Sequence, residues 1–172
     1  VQQCTHYNTN FEKLTLPIVL IADGVSMPAN IGSLFRIADA FGVSKLLFGN
    51  ATIDFNSKRI LRTARATINH IEHACLDNIE DEISNLVTED YQLIAIEITE
   101  NSIPLSSFNI DLSKKIALIV GAENFGVSEA VLRLVHTTVH IDMYGHNSSM
   151  NVTQATGIAL YELSKQLVSA TS

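Results

Sequence analysis

Residues 16–49 read LPIVLIADGVSMPANIGSLFRIADAFGVSKLLFG. The first eight, LPIVLIAD, are mostly branched and apolar and stop at Asp23-Gly24, the pattern of a buried strand running into a turn. In ANIGSLFRIADAF (29–41), Ile31, Leu34, Phe35, Ala38 and Phe41 recur at helical spacing. Pro28 stands where a helix starts and Gly42 where one ends. VSKLLFG (43–49) is a second short apolar run and reads as the next strand.

The same alternation extends outward. Residues 57–65 predict a basic helix, NHIEHAC (69–75) a strand, NIEDEISNLV (78–87) an acidic amphipathic helix and YQLIAIEI (91–98) a strand. KIALIVG (115–121) is the most apolar strand candidate. VSEAVLRLV (127–135) predicts a short helix, TTVHID (137–142) a strand and 151–168 a final helix. Strand and helix alternating in this way predict an α/β domain, with a mainly parallel sheet and helices on both faces. Residues 1–15 are expected to form a tail or short extension, and 16–172 a single domain large enough for a substantial core.

Composition narrows the functional classes. No apolar run approaches the ~18 residues of a membrane-spanning helix. VQQCTHYNTNFEK (1–13) lacks the basic-then-apolar order of a secretory leader. Cys4 and Cys75 form neither a CxxC pair nor a disulfide framework, so a cytoplasmic setting is expected. The net charge of −7 argues against a generic nucleic-acid binder. Its distribution qualifies that reading. Lys58, Arg59, Arg62 and Arg65 form a basic island, and no Lys or Arg occurs from Ala66 to Ser113. On a helix, Lys58, Arg62 and Arg65 would share one face, either a phosphate-binding stripe or simply a solvated surface.

Three polar segments each follow a predicted strand, where open α/β sheets bind ligands. In PANIGSLFR (28–36), Asn30 and Gly32 lie near a helix start and Arg36 follows, flanked by apolar residues and expected to have an acceptor. In VGAENFGVSEA (120–130), Gly121 and Gly126 permit a tight turn, but the Lys-Ser/Thr of a phosphate loop is missing, as is a dinucleotide GxGxxG. Glu123, just past the most apolar strand, can accept hydrogen bonds from a ligand and would repel phosphate. In IDMYGHNSSMNVTQATG (141–157), Ser149 or Asn151 can cap the final helix, a role that needs only one of its several small polar residues. His136, His140 and His146 lack a supporting Cys or carboxylate cluster, so no metal site is expected.

Taken in order, these segments resemble the SpoU/TrmH branch of the SPOUT methyltransferases. Asn30, Gly32 and Arg36 match the first motif, and Gly121, Glu123, Gly126, Val127 and Ser128 the second. Ile141, Met143, Gly145, Ser149, Asn151 and Val152 match the third, with Met150 and Thr153 as mild variants. Asp142 departs from the usual Pro. The resemblance covers about residues 16–168.

It implies a C-terminal deep trefoil knot and transfer of a methyl group from S-adenosylmethionine to a ribose 2′-hydroxyl of tRNA or rRNA. Ile96, Glu97, Gly121, Ile141, Met143, Gly145, Ser149 and Met150 would hold the cofactor. Arg36 would activate the hydroxyl, Asn30 would position Arg36 or the ribose, Glu123 would orient donors, and Ser149 and Asn151 would hydrogen-bond the ribose or phosphate. Lys58, Arg59, Arg62 and Arg65 would meet RNA. A homodimer through the first and final helices is also implied. Two other readings stand beside it: an inactive RNA-binding module of the same fold, and a nucleotide-binding oxidoreductase on an ordinary doubly wound sheet.

Overall fold

The computed structural model describes Thr9 and residues 11–171, except the side chain of Thr171. Most of the expected N-terminal extension therefore lies outside the described residues.

Seven strands form one sheet: β1 (Leu16–Asp23), β2 (Val43–Gly49), β3 (Glu72–Cys75), β4 (Tyr91–Ile96), β5 (Ile103–Pro104), β6 (Lys115–Gly121) and β7 (Thr137–His140). Their order across the sheet is β3-β2-β1-β6-β4-β7-β5, and every pairing is parallel. Helices α1 (Pro28–Ala40), α2 (Lys58–Ala64), α3 (Ile79–Thr88), α4 (Glu129–Leu132) and α5 (Val152–Thr171) complete the fold.

Period-two alternation explains the layering. Ile18, Leu20, Ala22, Leu118 and Val120 join α1 and α5 in one core. Val19, Ile21, Ala117 and Ile119 point the other way and pack with α3 and α4. The central strands are buried on both faces, hence the near-continuous apolar runs. The predicted α/β architecture, with helices on both faces, is thus observed.

Local chemistry sets the helix ends. Pro28 occupies the first turn of α1, and Gly42 takes φ +62° just beyond it. A side chain at Gly42 would press on the Leu14 carbonyl. The Asn78 side chain accepts from the Glu80 and Asp81 amides, while Glu80, Asp81 and Glu82 complement the N-terminal end of α3.

Several boundaries differ from expectation. The basic helix stops at Ala64, because Arg65 adopts φ +56°, and a 3-10 turn then occupies 65–69. The strand expected over 69–75 is consequently confined to Glu72–Cys75. The strands expected to reach residues 98 and 142 end at Ile96 and His140, and α4 is only four residues long. β5, two residues at the sheet edge, was not anticipated.

Strand register puts the site loops side by side. Asp23 aligns with Gly121, Ile96 with Val120, and Ile96 with Val139. The carboxyl ends of β1, β6, β4 and β7 are therefore level and adjacent.

Candidate active site

A cleft opens beyond these strand ends. The β4 end contributes Ile96, Glu97 and Ile98, and the loop after β6 contributes Gly121, Ala122, Glu123, Asn124 and Gly126. The segment after β7 contributes His140, Ile141, Met143, Ser148, Ser149 and Met150, and α5 closes the back with Val152 and Ala155. Its walls mix branched apolar side chains with carboxylates and backbone. Glu97 and Glu123 line it, and among the described residues no lysine or arginine does.

The loop after β6 is rigid for identifiable reasons. Ala122 and Gly126 exchange two backbone hydrogen bonds, 3.1 and 2.8 Å, closing a tight hairpin-like turn. A Cβ on Gly121 would lie 2.0 Å from the Gly126 carbonyl carbon. Gly126 has φ +66°, and its Cβ would lie 2.1 Å from Glu97 Oε2. Neither position has room for a side chain.

Two carboxylates hold the loop's exit. Glu97 Oε2 accepts from the Val127 amide at 2.9 Å, while its Oε1 accepts from the Ile98 amide at 2.9 Å. Asp23, only 2% exposed, accepts from the Ser128 amide through Oδ2 at 2.8 Å and from Asn50 Nδ2 through Oδ1 at 2.7 Å. Ser128 precedes α4, but its side chain caps no helix amide, and its hydroxyl is buried without a partner among the described residues.

The third motif meets the first across the molecule. Asn151 Nδ2 donates to the buried Asn30 at 3.2 Å. Asn151 Oδ1 also accepts from the Thr153 amide at 2.9 Å, so Asn151 is the cap of α5. One residue thus serves as helix cap and as link to α1. Gly32 allows a second close approach: its Cβ would lie 2.6 Å from that of Thr63 in α2.

The expected site residues do not all fall together. Ile96, Glu97, Gly121, Ile141, Met143, Ser149 and Met150 line the cleft together with Glu123. Asn30 and Asn151 form the bridge, which joins α1 to the start of α5 without lining the cleft. Gly145 lines a shallower neighbouring hollow with Asp142, His146 and Asn147, and a Cβ there would meet nothing within 4 Å. Arg36 is exposed and does not line the cleft, and it has no hydrogen-bond or ion-pair acceptor among the described residues. The expectation that it would have one is corrected.

Lys58, Arg59, Arg62 and Arg65 are all exposed, but Arg65 lies past the end of α2, so the single helical stripe is corrected to Lys58 and Arg62. His136 and His140 diverge. His136 Nδ1 accepts from the Leu93 amide at 3.0 Å, and His140 Nδ1 lies 3.0 Å from Ser102 Oγ. Among the described residues no cluster of three or more His, Cys, Asp and Glu is placed to hold a metal ion. Among them, too, no helix is long and apolar enough to cross a membrane.

Sequence reasoning missed Asp23 and Asn50. The signal was present: an acid ending a wholly apolar strand must be hydrogen-bonded if buried. Asp23 carries that mark as plainly as Glu123 does.

Comparison with known proteins agrees with this geometry. Residues 17–161 match the SpoU rRNA Methylase family. A 23S rRNA guanosine 2′-O-methyltransferase of Bacillus subtilis is 33% identical over 153 residues, covering 88% of this chain and 60% of that protein. The chain thus spans about 60% of that relative's length. Among solved structures, a TrmH/SpoU tRNA modifying enzyme of A. aeolicus superposes with a TM-score of 0.80 at 26% identity, covering 93% of this chain and 80% of the other. An AdoMet-bound rRNA methyltransferase of Sinorhizobium meliloti gives a TM-score of 0.80 at 27% identity, over 91% and 62% of the two chains. The match runs through all three motif segments and the strands that present them, and the chain belongs to the SpoU rRNA methylase family.

Proposed function

We propose that this chain transfers a methyl group from S-adenosylmethionine to a ribose 2′-hydroxyl of tRNA or rRNA. The carrying observation is the cleft's charge. It offers two carboxylates, apolar walls and a glycine loop, with no lysine or arginine among the described residues. That lining suits a cationic sulfonium and an adenine ring better than a diphosphate. It therefore favours S-adenosylmethionine over the dinucleotide of an oxidoreductase.

When bound, the cofactor supplies an electrophilic methyl group. Ile96, Ile141, Met143 and Met150 would enclose its flat and apolar parts, and the backbone at Gly121 and 141–150 would satisfy its polar edges. Glu97 and Glu123 would offset the positive sulfur. Ser149, at the cleft, and the Asn30–Asn151 bridge would orient the ribose. In the transfer the ribose oxygen would take the methyl group that the cofactor would supply, and its proton would pass to solvent or to a phosphate-assisted Arg36.

Arg36 has the role of meeting that hydroxyl. With no carboxylate engaging it among the described residues, its guanidinium is available to an RNA phosphate and to the developing alkoxide. Deprotonation of arginine is costly, so an Arg36 that acts as base does so with help from the phosphate.

Lys58, Arg59, Arg62 and Arg65 would contact phosphates beside the target. A homodimer would use the exposed side of α5, where Gly157, Ile158 and Tyr161 form an apolar hollow with Met150. The return of the chain from β7 to α1 through 141–151 would be the threaded segment of a trefoil knot. A reducing cytoplasm would be its compartment.

The test is methyl transfer from labelled S-adenosylmethionine to unmodified tRNA and rRNA, followed by alkaline digestion. Label in alkali-resistant dinucleotides, reduced about a hundredfold or more by Arg36→Ala, is the expected result. Label in mononucleotides would place the methyl group on a base and sink the ribose assignment. Cofactor binding without transfer to either RNA would favour the inactive binding module.

A further inference from the structure

We infer that Asp23 is a positioning residue for the cofactor site, acting with Glu97 as a two-carboxylate clamp that presets the glycine loop. The inference rests on the cofactor reading proposed above.

The clamp grips consecutive backbone amides from different strands. Glu97, just after β4, takes the Val127 N–H, and Asp23, ending β1, takes the Ser128 N–H. Between Gly121 and these amides lies the turn that forms one wall of the cleft. Glu97 touches the cleft itself, while Asp23 is buried behind the loop and does not line it. Asp23 therefore acts on the ligand only by fixing where the 121–128 backbone lies.

Both oxygens of Asp23 are committed, and to donors only. Oδ2 receives the Ser128 amide and Oδ1 the Asn50 side-chain amide. An asparagine at position 23 would have the same shape but would turn an NH2 toward one of the two donors. Exposed Asn50 can meet that NH2 only by turning its own amide over, and the Ser128 amide exchanges a charge-assisted hydrogen bond for a weaker neutral one.

Asn50 offers the means to reverse this. It sits at φ +53°, a conformation that asparagine and aspartate tolerate better than most residues. In Asp23→Asn with Asn50→Asp, the amide and the carboxylate exchange places. The amide now at position 23 can donate to the carboxylate at position 50, and its oxygen can still accept from Ser128. Asn50→Asp alone would set two carboxylates face to face and is expected to be defective.

The experiment is equilibrium binding of S-adenosylmethionine to wild type, D23N, N50D and the D23N/N50D pair. Steady-state KM and kcat with a methyl-accepting RNA, and exchange of the Ser128 amide by NMR, accompany it. D23N should bind the cofactor about tenfold more weakly and raise its KM by a similar factor. The KM for RNA should stay within about twofold, and the Ser128 amide should exchange faster. The double variant should recover all of these.

A variant that is merely less stable loses active fraction. It lowers kcat and leaves both KM values alone, and that pattern would overturn the inference. So would wild-type affinity in D23N. Failure of the wild type itself to bind S-adenosylmethionine would instead sink the cofactor reading, and the clamp's role at that cofactor with it.

Discussion

Gly126 shows how much a single atom can matter at the cleft. Its φ of +66° and the Glu97 oxygen 2.1 Å from where a Cβ would stand exclude any side chain unless the clamp opens. Gly126→Ala is expected to cost about 2 kcal/mol or more, a fall in Tm of roughly 4–8 °C. It should also weaken S-adenosylmethionine binding. Differential scanning fluorimetry with and without the cofactor measures both. Gly145→Ala is the contrast within this prediction, since nothing surrounds its Cβ and stability should barely change. In the sequence both glycines belong to recognisable motifs and look equally necessary. What separates them is a neighbour distant in the chain, Glu97, which spacing does not reveal. Asp23 is marked in the sequence as an acid closing an apolar strand, but its partners are not, since Asn50 and Ser128 come from two other stretches of chain.

At the scale of elements, periodicity predicted the central strands and both long helices closely. β1, β2, β6 and α1 lie within a residue of expectation, because each is a single uninterrupted pattern. The failures are short pieces. Nothing in Ile103-Pro104 marks a strand until β7 lies beside it. Likewise the basic helix looked continuous through Arg65, whose left-handed backbone is dictated by how α2 turns toward β3. This alters what the basic island can do. Lys58 and Arg62 project from α2 one turn apart, whereas Arg65 emerges from the turn after it. Replacing Lys58, Arg59 and Arg62 by Ala should weaken binding to unmodified rRNA. Each lost phosphate contact should flatten the log affinity against log salt plot by about 0.7–0.9. Filter binding across a salt series reads this directly. An unchanged slope would mean a solvated face.

The order of the seven strands was not legible, since strand patterns carry no address for their neighbours. Only the register shows that four strand ends meet at one level, so that the second and third motifs share one cleft while the first is tied to the third through Asn30 and Asn151. Among the described residues, α5 also leaves Ile158 and Tyr161 exposed, at 43% and 60%. Should these form the contact between copies, Ile158→Glu with Tyr161→Glu will shift the mass in light scattering from twice 18.8 kDa to 18.8 kDa. A wild type already at the lower mass would refute the dimer.

The bond from Asn151 to Asn30 spans 121 positions, and it sets an order of events in time. A ribosome adds about 5–20 residues each second. A growing chain has all seven strands by His140, yet at that moment the cleft lacks its third wall and its back. The sheet can take shape while the cleft is still open on two sides. On the function proposed above, only when 141–155 folds back onto α1 would a methyl donor have somewhere to sit, so a nascent copy would meet RNA before it could modify it.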